Sequence, residues 1–371
     1  MLKKVLVVGA MYSPNLGDGV ICQTVSEIVK KVLNAEPVVF GISGSTAFPK
    51  KSKSKRKYIS VSSMIRNVHM VKKLRYYRLK HKLWKKLDLQ GGDCDAIVFA
   101  GGQLFMDCFV NYIVWILEWA EEHNIRVVFN CCGMGKLSEK NRKLLENIFT
   151  FSCVHDISVR ESTELFYKQF SKKISVERIC DPAMEVADYY HSKSAKKCRI
   201  GIGVIHPINF RDNCVKIDKN QYVQILKVLI DWCSKQSVIF ELFTNGDPLD
   251  TEFCNELADS LGCIENIAPI PMSPAQLVDI VTRYECIISF RLHSHIIATS
   301  YGIPTAAFIW DDKVEEFMRL IGRENRCLSM LRMPDVDEIS DVLCQLLHDD
   351  NVLQNCGLEL TSQRLLMLLG E

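Results

Sequence analysis

Short apolar runs alternate with helix-patterned stretches along almost the whole chain, and this alternation restricts the fold more than any other feature. Residues 5–9, 37–42, 95–100, 127–131 and 153–159 read as strands, rich in Val, Ile and Phe. Between them, 18–33, 109–123 and 138–149 carry apolar residues at helical spacing, and 64–87 has the same periodicity in a basic background. After a polar stretch, His-Ser-Lys-Ser-Ala-Lys-Lys at 191–197, the pattern restarts. Strands are expected at 199–205, 238–243, 286–290 and 306–310, and helices at 221–234, 251–261, 273–284, 335–347 and 351–369. Strands that alternate with helices fold as parallel sheets covered by helices. Two such series in 371 residues predict two Rossmann-like α/β domains facing a cleft. The expected division is 1–192, then 198–350, with the helix in 351–371 packing back on the first domain.

The balance of 48% hydrophobic and 24% charged residues is that of a globular protein. No run is long enough to span a bilayer; the most apolar stretch, 108–120, is short and contains Glu118. The opening Met-Leu-Lys-Lys-Val-Leu-Val-Val-Gly-Ala-Met reads as a first strand rather than a signal peptide, because no small-residue cleavage site follows. The 16 cysteines form no Cys-x-x-Cys pair and no cluster with metal-ligand spacing, so no metal site is expected. Many lie in apolar runs, which suits a reducing cytosol.

Net charge is only +2, but it is unevenly spread: residues 50–87 hold 15 Lys or Arg and no Asp or Glu. Such asymmetry points to an anionic partner for the segment or to a solvated basic insertion. An anionic membrane surface fits. Nucleic acid is not expected, since no reader motif accompanies the charge.

Cys-Ile-Ile-Ser-Phe-Arg-Leu-His-Ser-His, from Cys286, carries the strongest chemical signal. An apolar strand ends at Arg291, Leu292 and His293 and a helix follows. That is the place where parallel sheets bind ligands. The helix N-terminus offers unpaired N–H groups to an anion. Arg291 adds a planar fork suited to phosphate or carboxylate, and His293 a proton that moves near neutral pH. Taken alone, His293 also reads as a core histidine; His295, two residues on, is read as structural.

Other strand ends carry weaker signals. Asn15-Leu16-Gly17-Asp18 opens the first helix, with Asp18 either a ligand-binding residue or an N-cap. Gly101-Gly102 either lets a ligand approach the backbone closely or makes a tight turn, and Asp107 follows. Arg160 at the end of 153–159 is a candidate anion binder or a surface arginine. Asp181 reads as a cap. Lys313, after Trp310-Asp311-Asp312, pairs either with a ligand anion or with its neighbours. No GxGxxG fingerprint or P-loop is present, which argues against a dinucleotide enzyme or a kinase.

Taken in order, Asn-Leu-Gly-Asp at 15–18, the glycines at 101–102, Val-Arg-Glu-Ser-Thr-Glu-Leu-Phe at 159–166, Cys-Asp-Pro-Ala at 180–183, the Arg-Leu-His segment at 290–304 and Asp-Asp-Lys at 311–313 resemble the polysaccharide pyruvyl transferase family. The resemblance implies a two-domain GT-B-like protein. It also implies transfer of the pyruvate group of phosphoenolpyruvate to a sugar of a surface-polysaccharide precursor, lipid-linked in some members, as a ketal with release of phosphate. On that reading phosphoenolpyruvate is the donor substrate and no cofactor is required. Arg291, Leu292, His293, Arg160 and Lys313 would bind it, with His293, Arg291 and Arg160 in the catalytic step. Asn15, Gly17, Asp18, Gly101, Gly102 and Asp107 would hold the acceptor. The protein would be cytoplasmic, peripheral at the inner face of the membrane. Two departures stand out: Glu161 where the family often has Asp, and Gln103 where it often has a third glycine. The alternative within the same fold class is a nucleotide-sugar glycosyltransferase.

Overall fold

The computed structural model describes residues 2–48, 69–192, 198–212, 215, 217–348 and 356–370. The chain divides into two units. The first comprises Met1–Ser13, Val25–Ile179 and Thr361–Glu371, and the second Pro14–Thr24 and Cys180–Leu360. The chain passes from one to the other at Ile179/Cys180, ahead of the polar stretch where the sequence suggested the boundary. The short segment around Asn15 is grouped with the second unit although it precedes most of the first.

In the first unit, β1 (Lys4–Gly9), β2 (Glu36–Gly41), β3 (Ala96–Phe99), β5 (Arg126–Phe129), β7 (Val154–Val159) and β8 (Glu177–Arg178) form one parallel sheet. Their order is β2-β1-β3-β5-β7-β8. Two further strands, β4 (Gly102–Phe105) and β6 (Cys132–Met134), pair in parallel with each other. The central strands are buried on both faces, as parallel strands under helices must be. Phe99 on β3 stacks on Phe129 of β5 with ring centroids 4.5 Å apart. Helix Asp107–Glu122 turns Val110, Ile113, Ile116, Leu117, Trp119 and Ala120 into this core, at the spacing read from the sequence. Helix Thr361–Leu369 belongs to the same unit. Its Arg364 is buried and held by Asp156 through bonds of 2.5 and 3.2 Å and by Glu177. The helix expected over 351–369 thus begins only at Thr361; residues 356–360 are irregular and 351–355 lie outside the described residues.

The basic segment is described from His69 onward, where it forms one long helix, His69–Gly91. Leu83 and Leu87 bury themselves in the core, and Trp84 donates its indole N–H to Trp115 O at 2.8 Å.

In the second unit, β9 (Cys198–Gly203), β10 (Phe240–Phe243), β11 (Tyr284–Ser289), β12 (Thr305–Ile309) and β13 (Cys327–Ser329) form a parallel sheet in the order β10-β9-β11-β12-β13. Phe290 stacks on Phe308 at 4.2 Å, and Tyr222, Phe253 and Phe210 close around them. The helices here begin with strong signals. Asp218 and Asp335 each make a capping box, and Ser273 caps a helix with Pro274 in its first turn.

Candidate functional site

The carboxyl ends of three neighbouring strands, β10, β9 and β11, carry Asn245, His206 and Arg291. Arg291 occupies the N-cap position of helix Leu292–Ser300, and its own side chain does not cap that helix. The N-terminal turn of a helix points its N–H groups outward with the positive end of the dipole, an arrangement that suits an anion. Leu292 is half-buried and His293 almost wholly buried.

Arg291 is itself fixed. Its Nε and Nη2 both donate to Oδ2 of Asp250, at 2.9 and 2.5 Å. Asp250 is completely buried, and its other oxygen accepts the backbone N–H of His206 at 2.8 Å. Burial pushes the Asp250 carboxyl above the usual carboxylate range, while Arg291 and the His206 N–H pull it back. A buried charge of this kind is tolerable only with such partners. The pair does not engage Nη1 of Arg291, so the fork is oriented without being used up. His206 is oriented too: its Nδ1 accepts the Ile208 N–H at 3.0 Å, which puts the proton of the neutral ring on Nε2.

Asn15, Gly17 and Asp18 lie in the same unit as Arg291 and His293. The Leu16 N–H donates to Asn245 O at 3.0 Å, which ties the loop to the end of β10. Gly17 then packs flat on His293: a Cβ at position 17 would stand 2.3 Å from Nδ1 and 2.4 Å from Cβ and Cγ of the histidine. Asp18 is in the first turn of helix Leu16–Lys31, its N–H on Asn15 O at 3.3 Å. Asn15, not Asp18, therefore holds the capping position. Its Oδ1 is buried and makes no hydrogen bond among the described residues, and the same holds for Nδ2 of Asn245. Oδ1 of Asn245 is taken by Ser294 Oγ at 2.8 Å. Buried amide atoms left unpaired by the protein are partnered by a ligand or by water.

His295 is structural, as its spacing suggested. It accepts from Thr305 Oγ at 2.6 Å and donates to Ser289 O at 3.1 Å, and burial pushes its pKa down to about 4. Lys313 lies in the first turn of helix Asp312–Leu320, 3.6 Å from Asp311, whose carboxylate also caps that helix.

The remaining candidates lie in the first unit. The Arg160 side chain lies largely covered beside the buried Glu161, its Nε 2.9 Å from Oε1, and Glu161 also accepts the Met134 N–H at 3.1 Å. Gly101 and Gly102 have φ of +106° and +77°, a region that favours glycine, and they let the chain restart as β4 after leaving β3. Asp107 braces the start of the next helix. Its Oδ1 accepts from Ser138 N, Ser138 Oγ and Asn141 Nδ2 at 2.8, 3.1 and 2.9 Å, which holds its pKa below the usual range. The expected acceptor set is thus split, with Asn15, Gly17 and Asp18 in one unit and Gly101, Gly102 and Asp107 in the other. The Leu16–Asn245 tie is the physical reason.

Sequence reasoning missed Asn245, Asp250 and His206. Asn245 and His206 had a legible signal, since Thr-Asn-Gly and Ile-His-Pro follow apolar strands just as Arg-Leu-His does. Asp250 had none, because an acid in the first turn of a helix reads as a dipole partner.

A family model described as polysaccharide pyruvyl transferase matches residues 15–312, from the Asn15 loop through the Arg291 helix to the start of the Asp312 helix. The chain belongs to the polysaccharide pyruvyl transferase family. No curated protein matches it significantly. Among solved structures it is similar to UDP-GlcNAc 2-epimerase from Methanocaldococcus jannaschii, with a TM-score of 0.59 at 10% identity over 99% of both chains. It is also similar to UDP-N-acetylglucosamine 2-epimerase from Rickettsia bellii, with a TM-score of 0.55 at 14% identity over 100% of this chain and 96% of that one. The UDP-bound MnaA of S. aureus gives 0.52 at 10% identity, over 98% and 92%. At such identities the likeness speaks for fold alone: the pyruvyl transferase chain has the GT-B fold, with two Rossmann-like α/β units.

Proposed function

We propose that this family member transfers the pyruvate group of phosphoenolpyruvate to two hydroxyls of a sugar in a surface-polysaccharide precursor, carried on a lipid, forming a ketal and releasing phosphate. The observation that carries the reading is Arg291, oriented by buried Asp250, at the N-terminus of a helix with His293 in its first turn. Phosphoenolpyruvate bears a phosphate and a carboxylate, and an oriented guanidinium with helix N–H groups is the surface that binds such groups. His293 is the candidate acid/base. It would protonate the methylene carbon, placing oxocarbenium character on C2. One sugar hydroxyl attacks C2, the C2–O bond to phosphate breaks, and the second hydroxyl closes the ketal. One phosphoenolpyruvate and one diol thus give one ketal and one phosphate.

Asn15 Oδ1 and Asn245 Nδ2 supply the acceptor and donor that a sugar hydroxyl needs. Lys313 and, in the other unit, Arg160 are further candidates for anion binding. The buried Glu161 beside Arg160 takes the part of the aspartate that other members have.

The test is phosphate release from phosphoenolpyruvate against a panel of galactose-, mannose- and glucose-containing acceptors, lipid-linked ones included, with mass spectrometry of the products. The reading predicts a product heavier by one pyruvate less one water, absent with Arg291→Ala. UDP or GDP release from a sugar nucleotide with phosphoenolpyruvate untouched would replace it with a glycosyltransferase.

A further inference from the structure

Helix His69–Gly91 is held against the first unit by one face only. Leu83 and Leu87 are buried in the core and Tyr76 meets Trp115 edge-on at 4.8 Å. Lys80 sits over Trp84 and 3.0 Å from Glu118. Asp88, the helix's one acid, accepts the indole N–H of Trp119 at 2.8 Å. The opposite face is exposed and cationic. Arg75, Arg78, Lys82 and Lys85 all point to solvent, and spacings of three and four residues place them in a single stripe. Large apolar side chains stand among and beside them: Leu74 is 69%, Tyr77 56% and Leu89 83% exposed.

Cations alone would be a solvated face, and apolar residues alone a packing face. Interleaved on one helix, they match the interfacial layer of an anionic bilayer, where phosphates meet the start of the acyl chains. Tyrosine is favoured at that depth because its ring is apolar and its hydroxyl wet. No described helix is long and apolar enough to cross a membrane, so the contact is a surface one.

We propose that this face docks the protein on an anionic phospholipid surface, with Arg75, Arg78, Lys82 and Lys85 against lipid phosphates and Leu74 and Tyr77 at the headgroup–acyl boundary. The proposal deepens the reading above, because a lipid-linked acceptor is presented at such a surface; its test is binding and uses no turnover.

The experiment is co-sedimentation of the full chain with phosphatidylcholine vesicles, with and without phosphatidylglycerol. Binding should require phosphatidylglycerol and weaken steeply with added salt. Each cation removed should cost about fivefold in affinity. The combined Arg75→Glu, Arg78→Glu and Lys82→Glu variant should lose at least about 100-fold, and Leu74→Ser with Tyr77→Ser about tenfold. All of these positions are exposed, so circular dichroism should show unchanged folds. Equal binding to both vesicle types, wild-type binding by the charge-reversed variant, or tighter binding of a single-stranded oligonucleotide than of the vesicles would overturn the proposal. Vesicle binding by a protein that never consumes phosphoenolpyruvate would leave this surface standing and remove the pyruvyl transfer reading.

Discussion

Gly17 and His293, far apart in sequence, are in direct contact: a single methyl group on residue 17 would stand 2.3 Å from the imidazole Nδ1. The Asn15 loop is therefore part of what sets the position of the histidine. Gly17→Ala should displace the ring or push the loop off Asn245. Displacing a reacting group by about 1 Å can cost about 100-fold in rate. We expect kcat to fall by that order with the circular dichroism spectrum unchanged; turnover equal to wild type would show that His293 does not need its place.

Asp250 acts through Arg291. Asp250→Asn keeps the shape of the side chain but only one of its two acceptor oxygens, so either Arg291 or the His206 N–H loses its partner, and it removes the negative charge that orients the guanidinium. The KM for phosphoenolpyruvate should rise about tenfold or more, with a smaller change in kcat. Breaking a buried pair by removing one partner typically costs about 3–5 kcal/mol, so Asp250→Ala should also lower stability, whereas Asp250→Asn should lower it less. Steady-state kinetics and urea unfolding of both variants separate the two roles.

His295 gives the fold a pH dependence of predictable sign. Its folded pKa is depressed, from the model-peptide value of 6.5 to about 4, because the buried ring is held neutral by Thr305 and Ser289. The stability it contributes is fully present above pH 6.5 and is lost as pH falls toward 4, where only the unfolded chain takes up the proton. By pH 5 the loss should reach about 2 kcal/mol, at roughly 1.4 kcal/mol per unit. Urea unfolding at pH 7 and pH 5 measures it, and in His295→Gln the slope should shrink by that amount.

Gly101 tests the backbone account of the glycine pair. With φ at +106°, and with Asn130 O and Cys131 O standing 3.0 and 3.1 Å from where a Cβ would sit, Gly101→Ala is strained in both conformation and space. A loss of about 1–3 kcal/mol is expected. No loss would mean that the pair is retained for a ligand alone.

The alternation of strands and helices was legible because strands covered on both faces must be continuous apolar runs, and the two parallel sheets follow from it. Strands β4, β6, β8 and β13 were not legible: they are two to four residues long, too short to show a period. Arg291 and His293 could be read because strand, polar residues and helix are contiguous there. The grouping of Asn15, Gly17 and Asp18 with them could not, since it rests on a hydrogen bond from Leu16 to Asn245, 229 residues away. The same limit hid Asp250, which shows its role only through its contact with Arg291.

The most direct measurement is the isotopic content of the product formed in D2O from phosphoenolpyruvate and an acceptor found in the panel. Protonation of the methylene carbon from an exchangeable group such as His293 predicts a ketal methyl carrying one deuterium, formed with one phosphate and lost in His293→Ala. A product that keeps its methylene group, or phosphoenolpyruvate left intact while a sugar nucleotide is consumed, would contradict pyruvyl ketal transfer at this site.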